Sequence, residues 1–307
     1  AGATAGMCAS FVVCPLDVVK TRLQGQIHGS EGATKYKGTL ATLARIFREE
    51  SIMGCYRGLS PTLLGMVPTW ATYFMSYNMI KRWLETSQGR RRGMKRESLV
   101  HTISACGAGV LTATATNPIW VVKTRIQMTP SHEGKYNGTL DAFAKILKHE
   151  GAASFYKGLG PSLMGVSHIT IQFPLYERFK KELRKAGGER ASDSNLGISQ
   201  LVTAAAASKI VASVFTYPHE VVRTRMYMDT RDNVKTFASY AKLFREGGVT
   251  ALYRGFAANA LRVVPASAVT FVSYEIVYDQ LHHWYGDHSL RVLPSREHKE
   301  CVVAHHK

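Results

Sequence analysis

The sequence predicts an all-α membrane protein: six transmembrane helices in three tandem helix-pair repeats with pseudo-three-fold symmetry, plus a short helix inside each repeat. Three observations predict it. Long stretches lack ionisable groups, a proline-centred string recurs three times, and two further motifs follow each copy at a near-constant distance.

The stretches come first, because composition hides them. A hydrophobic fraction of 45% and a mean hydropathy of −0.10 are those of a soluble protein. Yet Asp, Glu, Lys and Arg are absent from 23 residues at 58–80, 25 at 98–122, 19 at 158–176 and 16 at 1–16. A helix of roughly 20 such residues crosses the hydrocarbon core of a bilayer. These runs are rich in Gly, Ala, Ser and Thr, which suits close helix packing and a wet interior better than a wholly lipid-facing surface.

The formal net charge of +17 points to an anionic partner. Nucleic acid is excluded by the lack of zinc-type Cys/His spacing, an RNP-like aromatic motif or a basic helical arm. Five cysteines, Cys8, Cys14, Cys55, Cys106 and Cys301, show no paired spacing, so neither a disulfide framework nor a metal site is expected. The chain starts at Ala1 inside an apolar segment and without an Arg-rich transit sequence, which predicts a truncated N-terminus.

The repeats are explicit. Residues 15–24 read PLDVVKTRLQ, 118–127 PIWVVKTRIQ and 218–227 PHEVVRTRMY. Each is followed by an amphipathic segment (IFREE, ILKHE, LFREG) and then by Tyr56-Arg57-Gly58, Tyr156-Lys157-Gly158 or Tyr253-Arg254-Gly255. Tyr77-Asn78, Tyr176-Glu177 and Tyr274-Glu275 close the units. Each unit thus reads as a helix kinked at its proline, a short surface helix and a second long helix. Polar or Gly/Ser-rich stretches at 90–95 and 187–194 separate repeats at 1–86, 97–185 and 197–284, and residues 287–307 form a polar tail. Three helix pairs around one axis enclose a cavity instead of a solid core.

Three variants of a PxDxxKTRLQ-like string, each with an aromatic-Lys/Arg-Gly motif behind it, resemble the mitochondrial carrier family over all but the tail. The resemblance implies a multi-pass protein of the mitochondrial inner membrane with its short helices on the matrix side, although related carriers also occur in plastids and peroxisomes. It implies alternating access to one central site. It also implies a matrix gate in which the acid and base of each string pair between repeats: here Asp17 and Glu220 with Lys20, Lys123 and Arg223. Asp17–Lys123 and Glu220–Lys20 are the expected pairs. Trp120 stands where the second acid is expected and is read as the partner of Arg223 through a cation–π contact. Gln24 and Gln127 resemble the glutamine braces beneath these pairs, and Tyr227 replaces the third.

The opposite, cytosolic gate corresponds to Asn78/Lys81, Glu177/Lys180 and Glu275/Tyr278. If each base reaches the acid of the next repeat, Lys81–Glu177 and Lys180–Glu275 form, and Tyr278 faces Asn78. If each reaches the previous repeat, Lys81–Glu275 alone survives. The first register puts both non-ionic residues in one pair and is adopted here.

Substrate contacts in the family lie mid-membrane on the even helices. Gly65, Thr69, Trp70 and Tyr73 occupy that level in the second helix, and Gly165, Val166, His168 and Gln172 in the fourth. Arg262 in the sixth and Lys209 in the fifth are lone cations inside uncharged runs, which marks both as functional candidates. Arg binds phosphate through paired hydrogen bonds, and Trp70 and Tyr73 offer a face on which a base can stack. A nucleotide fits this set better than a small carboxylate. The strings NPIWVVKTR, PTWATYF and TYPHEVVRTRM resemble the branch that carries NAD, FAD or folate, and pyrimidine nucleotides. CPLDVVKTRLQ looks closest to NAD carriers, whereas SHITIQF resembles FAD/folate carriers. The expected function is therefore NAD exchange for a nucleotide, with FAD/folate, pyrimidine nucleotide or a channel of the same fold as alternatives.

The three aromatic-Lys/Arg-Gly motifs, Tyr56-Arg57-Gly58, Tyr156-Lys157-Gly158 and Tyr253-Arg254-Gly255, fall where even helices begin. Backbone N–H groups and the positive helix end attract phosphate there, and by resemblance the lipid is cardiolipin. No nucleophile–base constellation or Walker-type loop supports an enzyme, so no cofactor beyond the transported nucleotide is expected, and the carrier is expected to act as a monomer. The uncharged Asn78/Tyr278 pair predicts a weak cytosolic gate. The double change Asn78→Asp with Tyr278→Lys is expected to raise thermal stability and slow exchange in vesicles; unchanged values of both contradict this.

Overall fold

The computed structural model describes residues 2–26, 36, 38–87, 94–130, 133–165, 167–186, 198–229 and 236–285. Among them the first repeat contains α1 (Gly2–Gly25), α2 (Thr39–Cys55) and α3 (Leu59–Ser87). The second contains α4 (Met94–Met128), α5 (Thr139–Glu150), a short 3-10 turn (Ala152–Tyr156), α6 (Leu159–Gly165) and α7 (Ser167–Ala186). The third contains α8 (Ile198–Met228), α9 (Thr236–Leu252) and α10 (Phe256–Tyr285). The expected single even helix of the second repeat is thus described as two, on either side of Val166, which itself lies outside the described residues, as does the tail at 287–307.

The 29 residues of α3 and the 30 of α10 extend about 45 Å at 1.5 Å per residue, more than the roughly 30 Å of a bilayer core. Among the described residues only Val100–Met128 is also apolar enough by itself, at a mean hydropathy of 1.2, to be read as a span. The other long helices are diluted by small residues, and the odd ones also by the charges of their proline strings.

The second helix of each repeat packs along the first helix of the next: α3 on α4, α7 on α8, and α10 back on α1. That last contact joins the two ends of the described chain and closes the ring. Pro15, Pro118 and Pro218 lie inside α1, α4 and α8, each removing one backbone donor. The Val-Val pair of each string faces outward from the axis into a small core under its own short helix. Val18 and Val19 bury against Ile46, Val121 and Val122 against Ile146, and Val221 and Val222 against Leu243. The short helices break at equivalent points. Gly151 and Gly248 take positive φ values of 76° and 59°, and Ser51 adopts the same left-handed conformation at 64° without the freedom of a glycine.

The last residue identical in all three copies of the string, an arginine, ties this layer together in a cycle. Arg22, Arg125 and Arg225 each place Nε on a backbone carbonyl of another repeat: Gln127 at 3.0 Å, Tyr227 at 2.8 Å and Gln24 at 3.2 Å. Their terminal nitrogens turn to the short helix of their own repeat. Arg22 grips Glu50 with both, and Arg125 grips Glu150 with both. In the third repeat the acid comes one residue earlier. Arg225 therefore meets Glu246 through Nη1 alone at 2.5 Å and gives Nη2 to the Gln26 carbonyl at 2.6 Å.

Both side chains of the Arg22–Glu50 pair are 1% exposed, against 14% and 16% for Arg225 and Glu246. Breaking a buried pair from one side costs about 3–5 kcal/mol. Glu50→Gln is accordingly expected to lower the melting temperature more than Glu246→Gln. Burial pushes the Glu150 carboxyl up, but the Arg125 guanidinium and then Lys157 outweigh it and hold it below its ordinary 4.5. A carboxylate depressed by folding stabilises above its unfolded pKa and loses that contribution as pH falls through the folded one. The stability gap between wild type and Glu150→Gln should thus be full at neutral pH and close below about 4.5; a gap independent of pH contradicts the assignment.

Candidate functional site

Immediately above the arginine cycle, toward the cavity, the acids and bases of the three strings converge. Lys20 pairs with Glu220 at 2.7 Å and Lys123 with Asp17 at 3.8 Å. These are the two inter-repeat pairs that the family resemblance implies. Two further groups join them from α10. Asn259 Oδ1 accepts Lys20 Nζ at 2.8 Å, and Arg262 Nη1 meets Asp17 Oδ1 at 2.6 Å. Asp17 thus answers two cations, Lys123 and Arg262.

Beneath the pairs lie Gln127 and Gln24, each bridging two odd helices. Gln127 Oε1 accepts Thr21 Oγ1 at 2.9 Å, and Gln24 Oε1 accepts Thr224 Oγ1 at 2.9 Å. Gln24 also donates through Nε2 to Tyr217 Oη at 3.0 Å. At the third position Tyr227 donates to Asn117 Oδ1 at 2.8 Å and lies 3.0 Å from Ser162 Oγ. A tyrosine therefore spans a helix boundary that a glutamine spans elsewhere.

A cavity of about 540 Å³ stands over this floor, within the 300–1,000 Å³ typical of ligand sites. Asp17, Lys20, Lys123, Glu220, Arg223 and Arg262 form its charged floor, with Gln24, Gln127 and Trp120 beside them. Thr69, Trp70 and Tyr73 make one wall, and Gly165 and His168 line another. Trp70 stacks on Phe74 at 5.7 Å and meets the Tyr73 ring edge-on at 6.3 Å. Thr69 gives its hydroxyl proton to the Gly65 carbonyl at 2.6 Å, so toward the cavity it can only accept. His168 Nδ1 lies 2.9 Å from Thr216 Oγ1. Flat aromatic surface on one side and guanidinium groups on the floor suit a base and a phosphate at the two ends of one ligand.

Three candidates lie outside this lining. Gly65 is used for packing: a Cβ there would come within 2.9 Å of Ile119 Cγ2, so its smallness lets α3 approach α4. Gln172 sits one turn beyond His168 on α7, outside the lining. Lys209 stands three turns before Glu220 on α8, above the lining residues. Val166 falls outside the described residues.

The expected Arg223–Trp120 contact is replaced. Among the described residues the cation over the indole is Lys123 of the same helix, 5.0 Å from the ring centroid, and the indole N–H is given to Thr116 Oγ1 at 3.2 Å. About one helical turn separates residues 120 and 123, a spacing at which two side chains meet on the same helix face. The other end differs as well. Lys81 pairs with Glu85 of its own helix at 4.0 Å, and Lys180 with Glu177 of its own helix at 3.2 Å. Lys81–Glu177 is therefore not formed in this conformation. No packed surface joins α3 to α7 among the described residues, and each lysine takes the neighbour that needs no inter-helix approach. Asn78 is exposed, while Glu275 and Tyr278 lie on α10 with side chains outside the description.

The basic residues of the three aromatic-Lys/Arg-Gly motifs have protein partners. Arg57 Nε donates to the Ile126 carbonyl at 3.2 Å, Arg254 Nη1 to the Gln26 carbonyl at 3.2 Å, and Lys157 lies 3.8 Å from Glu150. The glycines Gly58, Gly158 and Gly255 hold positive φ values of 85°, 77° and 80°. A Cβ at Gly58 would strike Gln127, and one at Gly158 would strike Tyr227, at 2.5 and 2.7 Å. These glycines let the start of each even helix seat against a brace residue of the next repeat. Tyr56, Tyr156 and Tyr253 flank the same turns, Tyr253 stacking on Tyr217 at 6.2 Å.

Sequence reasoning missed the three arginines of the cycle, the bridging Thr21 and Thr224, and Asn259. The signal for the arginines was present: the string carries Thr-Arg in all three copies, and each amphipathic segment carries a glutamate.

A family model described as mitochondrial carrier protein matches residues 1–88, 95–187 and 194–284. The chain is 41% identical over 287 residues to nicotinamide adenine dinucleotide transporter 2, mitochondrial, of Arabidopsis thaliana, covering 90% of this chain and 77% of the relative. It is 38% identical to mitochondrial nicotinamide adenine dinucleotide transporter 1 of Saccharomyces cerevisiae, covering 91% and 76%. Identity to folate transporter 1, chloroplastic, of Arabidopsis thaliana is 36%, covering 90% and 92%. With three matched repeats and the closed six-span ring, the chain belongs to the mitochondrial carrier family.

Proposed function

We propose that this chain is a mitochondrial inner-membrane carrier that exchanges NAD for another nucleotide by alternating access. The observation that carries the reading is the cavity itself, with Trp70 and Tyr73 on one wall and Arg262 on the floor, in a chain 41% identical to a nicotinamide adenine dinucleotide transporter. A base stacks on the aromatic wall, and a phosphate takes Arg262. The anion thereby competes with Asp17 for that guanidinium and loosens the matrix gate, which couples binding to opening. Asp17, Lys20, Lys123 and Glu220 form the gate, Gln24, Gln127 and Tyr227 brace it, and the even-helix ends carry the cytosolic gate. The protein does no covalent chemistry and holds no cofactor of its own. It works as a monomer with cardiolipin phosphate at the N-termini of α3, α6 and α10, where backbone donors and the helix dipole favour an anion.

His168 favours a second reading. Its imidazole lines the cavity where a pterin or flavin edge could be recognised, and the chain is 36% identical to a folate transporter. A thermal-shift screen of the detergent-purified protein with added lipid separates the readings, since a ligand of the folded state stabilises it by mass action. NAD or AMP is expected to raise the melting temperature, and Arg262→Ala is expected to abolish that rise while also lowering the ligand-free value. A rise only with FAD or folate, or only with UTP or CTP, overturns NAD and keeps the carrier. Uptake into vesicles without internal nucleotide, as fast as into loaded ones, contradicts exchange and favours a channel.

A further inference from the structure

The gate is built from three equivalent acid positions, residues 17, 120 and 220, and three equivalent base positions, residues 20, 123 and 223. Two bases are answered: Lys20 by Glu220 and Lys123 by Asp17. The third is not. Arg223 carries no ion pair and no hydrogen bond among the described residues, although it lines the cavity within one turn of Glu220.

Trp120 explains this. It stands where the acid answering Arg223 would be, and it cannot substitute for one. The indole N–H is occupied by Thr116, and the ring carries Lys123 at 5.0 Å. The two acids form their ion pairs with other cations, Asp17 with Lys123 and Arg262 and Glu220 with Lys20, although Glu220 also feels the charge of Arg223 one turn away on α8. The four cations Lys20, Lys123, Arg223 and Arg262 thus face two carboxylates, and the one with no ion pair or hydrogen bond among the described residues is a guanidinium that lines the cavity.

We propose that Arg223 is a substrate ligand and not a lock: it takes a phosphate or pyrophosphate oxyanion of the transported nucleotide, and Trp120 keeps it free by withholding a carboxylate. The assignment rests on the nucleotide reading above and adds to it. Arg262 is already paired with Asp17, whereas Arg223 has no formed ion pair or hydrogen bond to break among the described residues, so it makes the first contact. A planar fork binds two phosphate oxygens at once, which a lysine at the same place cannot do.

The test uses the full chain in detergent with lipid, measuring melting temperatures and apparent affinities for NAD and AMP. Arg223→Gln is expected to lose about tenfold or more in affinity for both, the loss of a charged hydrogen-bonded contact, and to keep its ligand-free melting temperature. Arg223→Lys is expected to recover part of the affinity. Trp120→Glu, which supplies the missing acid, is expected to raise the ligand-free melting temperature and weaken both nucleotides. Lys20→Gln, a lock residue, provides the contrasting pattern of a lowered ligand-free value. An Arg223→Gln protein that binds like wild type, or one destabilised as much as Lys20→Gln, overturns the assignment and leaves the carrier reading standing. A wild type stabilised by no nucleotide overturns both. Should Arg223→Gln fail to fold, that outcome itself indicates a structural role, and a Trp120→Glu protein with unchanged affinity likewise counts against the assignment.

Discussion

Three guanidinium groups, two of them buried and the third partly so, hold the structure in register. Each belongs to an odd helix, reaches across to a backbone carbonyl of another repeat, and grips a glutamate of its own short helix. Arginine alone among the side chains can do all three at once, because its five N–H donors spread in a fixed plane. The cycle sets the spacing of α1, α4 and α8 at the end where their prolines and charges meet. The positions of the ion pairs, the braces and the cavity floor follow from that spacing.

Above the cycle the proposed lock is thin. It consists of two inter-repeat ion pairs, with Arg262 and Asn259 added from α10. Such pairs gain from mutual attraction while water is excluded and lose that gain once water enters, so a few pairs can hold a closed end without making it permanent. The even-helix ends show the complementary condition, with Lys81 and Lys180 satisfied inside their own helices. One end is closed by bonds between repeats, and the other carries bonds within single helices. Alternating access requires such an asymmetry, and in the proposed mechanism the charges of an anionic substrate reverse it.

Much of this was legible in the sequence. The spacing of Pro15, Pro118 and Pro218 announces three repeats, and the resemblance of the string to the mitochondrial carrier family implies Asp17, Glu220, Lys20 and Lys123 as partners. The arginine cycle was not legible, although Thr-Arg recurs three times, because its acceptors are backbone carbonyls and carry no sequence signature. The partner of Trp120 was misread for a related reason. A three-fold argument assigns Arg223 to it, but a lysine one turn away on the same helix reaches the ring first. Gly65 was read as part of the binding surface, whereas its lack of a side chain serves the seam between α3 and α4. Small residues in such helices serve packing and ligand space alike, and only the neighbouring helix decides between them.

The central claim is that inter-repeat charge pairs close the matrix end and that substrate opens it. Exchanging the members of one pair tests it most directly. Nucleotide exchange is measured in vesicles containing Lys20→Glu, Glu220→Lys or the double swap. The account predicts that each single reversal cripples exchange, because two like charges then face each other across the closed end, and that the swap restores a large part of it. Single variants that exchange like wild type, or a folded double swap as inactive as either single, would contradict the account.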